Sequence, residues 1–186
     1  MIVKHYPLLD VYHVLNFFSE EEYSSMLDEL EWLCDDELLF DPQASGGKEY
    51  VRTSRGLPIE SLLKKEESDI IRCMDKIKTL AIEPDFTDAT STHLINHYMG
   101  GQEYGYHKDR CDYTAIAVFY PVPKPFEGGT LWFRKDDEEL ELEQLLTRDL
   151  VIFPGSLDHK VTRVKMLKEN PCNMDARISV SRFIKL

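Results

Sequence analysis

Cysteine is scarce in this sequence and never clustered. The four present, Cys34, Cys73, Cys111 and Cys172, form no CxxC pair, which excludes a disulfide framework and a zinc-knuckle pattern and makes reduced thiols the expectation. Long apolar runs are missing as well. None approaches the roughly 20 residues of a membrane-spanning helix, and the opening MIVKHYPLLDVYHVL lacks the basic, apolar, small-residue order of a signal peptide. A cytoplasmic protein without a membrane partner is the expectation. No GxSxG nucleophile elbow surrounds Ser156, so Ser156 beside Asp158-His159 does not read as a serine hydrolase. Internal repeats and linkers rich in Pro, Gly or Ser are absent, and 186 residues suit one domain over 1–186. Basic residues are in deficit, 22 against 34 acidic ones for a net charge of −12. That balance disfavours avid, sequence-independent nucleic-acid binding unless a local basic groove overrides it.

The deficit is uneven. Residues 1–90 carry 20 acidic and 9 basic side chains, residues 91–186 carry 14 and 13, and 160–186 is the one basic candidate stretch. Ser19 followed by EEEYSSMLDELEWL predicts an N-capped amphipathic helix, with glutamates suited to the helix dipole and Tyr23, Met26, Leu27, Leu30 and Leu33 at helical spacing. A second helix is predicted at 59–81 on the stripe Leu62, Leu63, Ile70, Ile71, Met74, Ile77 and Leu80. Beyond Pro84 the texture becomes short β-rich runs: 92–98, 113–120, 129–133, 149–153, 159–164 and 177–184. The acidic run 136–143 between two of them reads as a solvated loop or an outward-facing strand. The fold expected is α+β, with antiparallel sheets folded as a sandwich or jelly roll in 91–186 and N-terminal helices in 1–90 packed on one sheet.

In His107-Lys108-Asp109 the outer side chains are two residues apart, so an extended backbone turns both to one face. His159 opens a strand 50 residues beyond Asp109, and adjacent strands of a small sandwich can bring it alongside. Two imidazoles and a carboxylate make a facial triad that suits Fe(II) and leaves positions open; the competing reading is of ordinary surface or core histidines. Arg177 and Ser179 share one face of the last strand, a fork and hydroxyl suited to a carboxylate. Asn96 and Tyr98 share a face on the strand leading into Gly100-Gly101, and both can hydrogen-bond a small anion.

NHYMGGQEYGYHKD (96–109), FEGGTLWF (126–133), DLVIFPGSLDHKV (149–161) and RISVSRF (177–183), taken in that order, resemble the Fe(II)- and 2-oxoglutarate-dependent dioxygenases, in particular their prolyl 4-hydroxylase-like branch. VRTSRGL (51–57) and the leader helix are similar too. The resemblance implies a double-stranded β-helix (cupin-like) core, with His107, Asp109 and His159 as iron ligands and the distal carboxylate of 2-oxoglutarate on Arg177, supported by Tyr98. It also implies O2 as cosubstrate, ascorbate as a reductant, and hydroxylation of a prolyl or other amino-acid side chain in a peptide, protein or free amino acid, with release of succinate and CO2. The chain departs from the collagen prolyl hydroxylases, which carry a Lys about ten positions after the distal His; here Glu169 stands there and Arg177 follows 18 residues after His159. An Arg at that longer distance resembles the AlkB-like nucleic-acid demethylases, whose second Arg would fall near Arg182, one position off and on the opposite face. Base demethylation and a non-catalytic binding domain are the alternative functions. Asp109 argues against the related halogenases.

The remaining marked residues read plainly. His93 and His97 form a structural pair on the outer face of the strand, opposite Asn96 and Tyr98, His5 and His13 are surface or hinge residues, and Cys111 is a buried or loop thiol, with a site vulnerable to oxidation near iron as the alternative. Of Trp132 and Phe133, one faces the core and the other lines the substrate mouth. Loops 40–58 and 100–113 surround that mouth, with 41–50 as a mobile lid.

Overall fold

A computed structural model describes residues 2–35, 52–54, 90–142 and 145–186. The second predicted helix, the proposed lid and most of VRTSRGL lie outside these residues. The chain runs β1 (Ile2–Tyr6), β2 (Val11–Leu15), α1 (Glu20–Asp35), β3 (Arg52–Ser54), β4 (Thr90–Tyr98), β5 (Tyr104–His107), β6 (Tyr113–Phe119) and β7 (Phe126–Gly128). It continues as β8 (Leu131–Lys135), β9 (Glu138–Leu142), β10 (Leu150–Pro154), β11 (Asp158–Val161), β12 (Val164–Met166), a 3₁₀ turn (Asn173–Asp175) and β13 (Arg177–Lys185). A major sheet orders its strands β1-β2-β10-β6-β13-β4-β3 and a minor sheet β5-β11-β8-β9, with β12-β7 as a separate pair. All pairings are antiparallel, the jelly-roll arrangement expected.

Strand periodicity divides the core into two layers. Along β6, Ala115, Ala117 and Phe119 face one way and Ile116 and Val118 the other, as alternation requires. The first face meets α1 through Tyr23, Met26 and Leu30; the second meets the minor sheet through Leu131, Phe133 and Val161. A sheet apolar on both faces must be covered twice, by the helix and by the second sheet. Helix α1 starts where the cap chemistry places it. The Glu22 amide donates to Ser19 Oγ at 3.1 Å and the Ser19 amide to Glu22 Oε2 at 2.9 Å, a reciprocal capping box. The Tyr23 hydroxyl then ties the helix to the sheet by donating to Tyr120 O at 2.6 Å.

Three features depart from the expectations set by the sequence. Residues 2–15 form a β-hairpin turning through Asp10 (φ 54°) and joining the major sheet at β10. The buried His13 belongs to this hairpin, with Nε2 2.8 Å from Asp149 Oδ2, so it is neither a surface nor a hinge residue. The run 159–164 splits into β11 and β12, because Thr162 turns aside to bond Thr130 through its amide (3.0 Å) and accept from the Thr130 amide at Oγ1 (2.8 Å). Likewise Gly128 (φ 69°) and Gly129 (φ 66°) separate β7 from β8. The acidic run supplies a turn at Asp136 and the outward-facing β9.

Candidate functional site

His107 ends β5 and His159 stands second in β11, and the two are direct register partners across the minor sheet. Backbone pairing alone therefore sets their rings side by side, with centroids 4.1 Å apart. Each Nδ1 lies 2.9 Å from the carbonyl two residues before it, Gly105 for His107 and Leu157 for His159. A carbonyl only accepts, so Nδ1 carries the hydrogen in both rings and Nε2 is the nitrogen available to a metal. Asp109 follows in the loop, its amide donating to Gly155 O at 2.8 Å. This contact explains the Phe-Pro-Gly turn, because a Cβ at Gly155 would lie 2.3 Å from Cys111 O and only glycine lets the loop pack there. Asp109 Oδ1 lies 3.9 Å from His107 Nε2 and Oδ2 lies 3.4 Å from His159 Nε2.

All three potential ligand atoms fall within 4.8 Å of one another. Two imidazole nitrogens and one carboxylate converging in this way form a 2-His-1-carboxylate donor set, which suits Fe(II). His159 is buried against Phe153 (4.7 Å between ring centroids), which meets Phe133 edge-on at 4.8 Å. These rings form a dry wall behind the donors. Phe133 is therefore the core-facing member of its pair. Trp132 is on the opposite face of β8, with the Lys160 ammonium 4.9 Å from its ring. Thr114, which no sequence motif marks, is fully buried and donates to Asp109 Oδ2 at 2.6 Å. The Cys111 thiol, its pKa pushed up chiefly by burial, lies 3.3 Å from Thr114 Oγ1 and donates to Tyr113 O at 3.2 Å.

The second cluster lies on the inward face of β4 and β13. Register pairs Arg177 with Tyr98 and Ser179 with Asn96, and all four are buried. Ile178 and Val180 point oppositely, into the helix-covered layer. Arg177, 1 % exposed, lies with its guanidinium carbon 5.2 Å from the Tyr98 ring centroid and donates from Nε to Gly129 O at 2.6 Å. Its Nη1 is buried with no partner among the described residues, an uncompensated donor that a carboxylate would satisfy. Burial pushes the Tyr98 hydroxyl up to about 12 despite Arg177 nearby, so it remains a neutral donor. Arg182 is buried on the other face with Ile178 and Val180, as the one-position offset requires. His97 also points that way, its Nε2 donating to Asn173 O at 2.7 Å beneath the 3₁₀ turn, so it is buried and not on an outer face.

No family model matches the chain. Curated relatives do. A PKHD-type hydroxylase of Burkholderia ambifaria is 25% identical over 166 residues, covering 82% of this chain and 71% of that protein. Another from Xanthomonas campestris is 27% identical over 177 residues, covering 84% and 72%. Over about four fifths of its length the chain is similar to PKHD-type hydroxylases. Solved structures share the fold. A Pseudomonas putida prolyl-4-hydroxylase superposes with a TM-score of 0.71 at 14% identity, covering 96% of this chain and 94% of that one. HygX from Streptomyces hygroscopicus, solved with nickel, 2-oxoglutarate and hygromycin B, gives 0.65 at 11%, covering 95% and 83%. Among the described residues, no helix is long and apolar enough to cross a membrane.

Proposed function

We propose that this chain hydroxylates a C–H bond of a prolyl or other amino-acid side chain in a peptide, a protein or a free amino acid. The observation that carries the reading is the convergence of His107, Asp109 and His159 in a fold that also buries, at Arg177 Nη1, a donor with no partner among the described residues. His107, Asp109 and His159 would hold Fe(II); Arg177, with Tyr98, Asn96 and Ser179, would receive the distal carboxylate of 2-oxoglutarate. The bound iron, with 2-oxoglutarate and O2, supplies the oxidising chemistry, and succinate and CO2 are the co-products. The chain's own residues provide geometry and dryness. Backbone carbonyls orient both imidazoles, Thr114 holds one Asp109 oxygen, the Phe133 and Phe153 wall excludes water, and neutral Tyr98 leaves the Arg177 charge free for an anion. The thiols of Cys111 and Cys172 are unpaired, which supports a cytoplasmic setting.

The charge pattern weighs against base demethylation. Within the one basic stretch, Arg163, Lys165 and Lys168 pair with Glu103, Glu127 and Asp175. Arg177 and Arg182 are buried, and Lys160 lies over the Tyr106 and Trp132 rings. Little of that stretch remains for phosphates.

Succinate formation from 2-oxoglutarate by iron-loaded protein, with ascorbate and with peptides, free amino acids or methylated oligonucleotides added in turn, tests the reading. Stimulation by peptides or amino acids is expected, and His159→Ala should abolish it. Stimulation by oligonucleotides alone, or full turnover in the His159 variant, overturns it.

A further inference from the structure

Arg177 is not the only cation at its cavity. The cavity is small, about 20 Å³, partly open to solvent, and lined by Lys124, Tyr120, Phe126, Thr130 and Arg177 among others. Lys124 stands in the loop between β6 and β7 at the solvent edge, while Arg177 forms the buried floor. The Lys124 ammonium donates to Gly128 O at 3.2 Å, and Arg177 Nε donates to the next carbonyl, Gly129 O, at 2.6 Å. The two glycines thus form a shelf whose successive carbonyls tether one cation each. Neither position has room for a side chain. A Cβ at Gly129 would lie 2.6 Å from Arg177 Cδ, and one at Gly128 would lie 2.1 Å from Arg163 O. No carboxylate lines this cavity among the described residues. Burial and then the Arg177 charge lower the Lys124 pKa, the mark of two like charges sharing a poorly solvated space.

We propose that Lys124 is a second binding residue for the carboxylate that Arg177 receives, so that the cavity takes this group between a fixed guanidinium at its floor and a tethered ammonium at its mouth. The proposal rests on the cosubstrate reading above, and adds to it a residue of the loop between the sheets. Two cations with no anion between them repel, and an entering carboxylate removes the repulsion while completing the hydrogen bonding of both. Lys124 packs near the Phe126 ring, 4.8 Å from its centroid, so an uncharged side chain of similar length can keep that contact.

The test measures binding of 2-oxoglutarate to Zn(II)-loaded protein by calorimetry. Lys124→Met should weaken it roughly five- to tenfold, and Lys124→Arg should restore most of the loss. Binding of 2-oxopentanoate, which keeps the 2-oxo acid end but lacks the distal carboxylate, should be unchanged by Lys124→Met. Equal affinity of wild type and Lys124→Met for 2-oxoglutarate, or an equal loss for both ligands, overturns the proposal. If wild type binds no 2-oxoglutarate, the cosubstrate reading falls, and the two-cation site is judged separately by thermal-shift titration of metal-free protein with glutarate. A glutarate shift lost in Lys124→Met upholds it; no shift, or the same shift in both proteins, overturns it.

Discussion

Asp109 presents its two oxygens to different partners, and Thr114 acts on only one of them. By donating to Oδ2 from a fully buried position, the hydroxyl limits rotation of the carboxylate and leaves Oδ1 turned toward His107. Thr114→Val keeps the shape and removes the donor. Zn(II) or Co(II) affinity should fall by about tenfold or more, Thr114→Ser should recover most of it, and the melting temperature of the Ser variant should stay near wild type. Calorimetric metal titration reads this directly. A Val variant that binds metal like wild type would make Thr114 a packing residue only. His107 and Asp109 could be paired from their closeness in sequence, although Asp109 lies in the loop just past the end of β5. Thr114 was not, since its role depends on how a loop folds back onto the first turn of β6.

At the scale of elements, the glycine pair between β7 and β8 decides where Arg177 rests. Gly129→Ala would require a left-handed backbone for alanine and place a methyl group against Arg177 Cδ and Val164. The expected outcome is a loss of stability of about 1 kcal/mol or more and weaker 2-oxoglutarate binding, with Zn(II) affinity retained because the donors lie on β5 and β11 and in the loop after β5. Thermal unfolding and parallel ligand titrations separate the two effects. The FEGGTLWF motif was readable as part of an ordered set, and Arg177 and Ser179 could be put on one face from alternation alone. That the strand breaks at the glycines, and that Lys124 comes to share their carbonyls, depends on contacts between separate stretches of chain. The N-terminal hairpin was hidden for a related reason. Its β2 strand includes a buried histidine whose polar partner, Asp149, lies 136 residues away.

Across the whole molecule, two cores carry separate duties. The layer under α1 holds the helix to the major sheet, whereas the layer between the sheets supports the candidate site. Leu30 is wholly buried in the first layer. Leu30→Ala should cost about 2–5 kcal/mol and lower the melting temperature, while metal affinity measured well below the transition stays within about twofold. A matching loss of affinity would show the layers to be one cooperative support. Fold class was the most legible property at this scale, because six short strands behind an apolar helical stripe have few ways to cover both faces. The charge distribution also acquires a setting. The net −12 falls largely in residues 1–90, whereas Arg177 and Lys124, on either side of the cavity, come from the near-neutral remainder.

The atoms that steady those two cations belong to the main chain. Systematic truncation of side chains across 126–133 would leave both carbonyls intact, so such a scan would pass over the anchor, and only substitutions that add a side chain at residues 128 and 129 would reveal it.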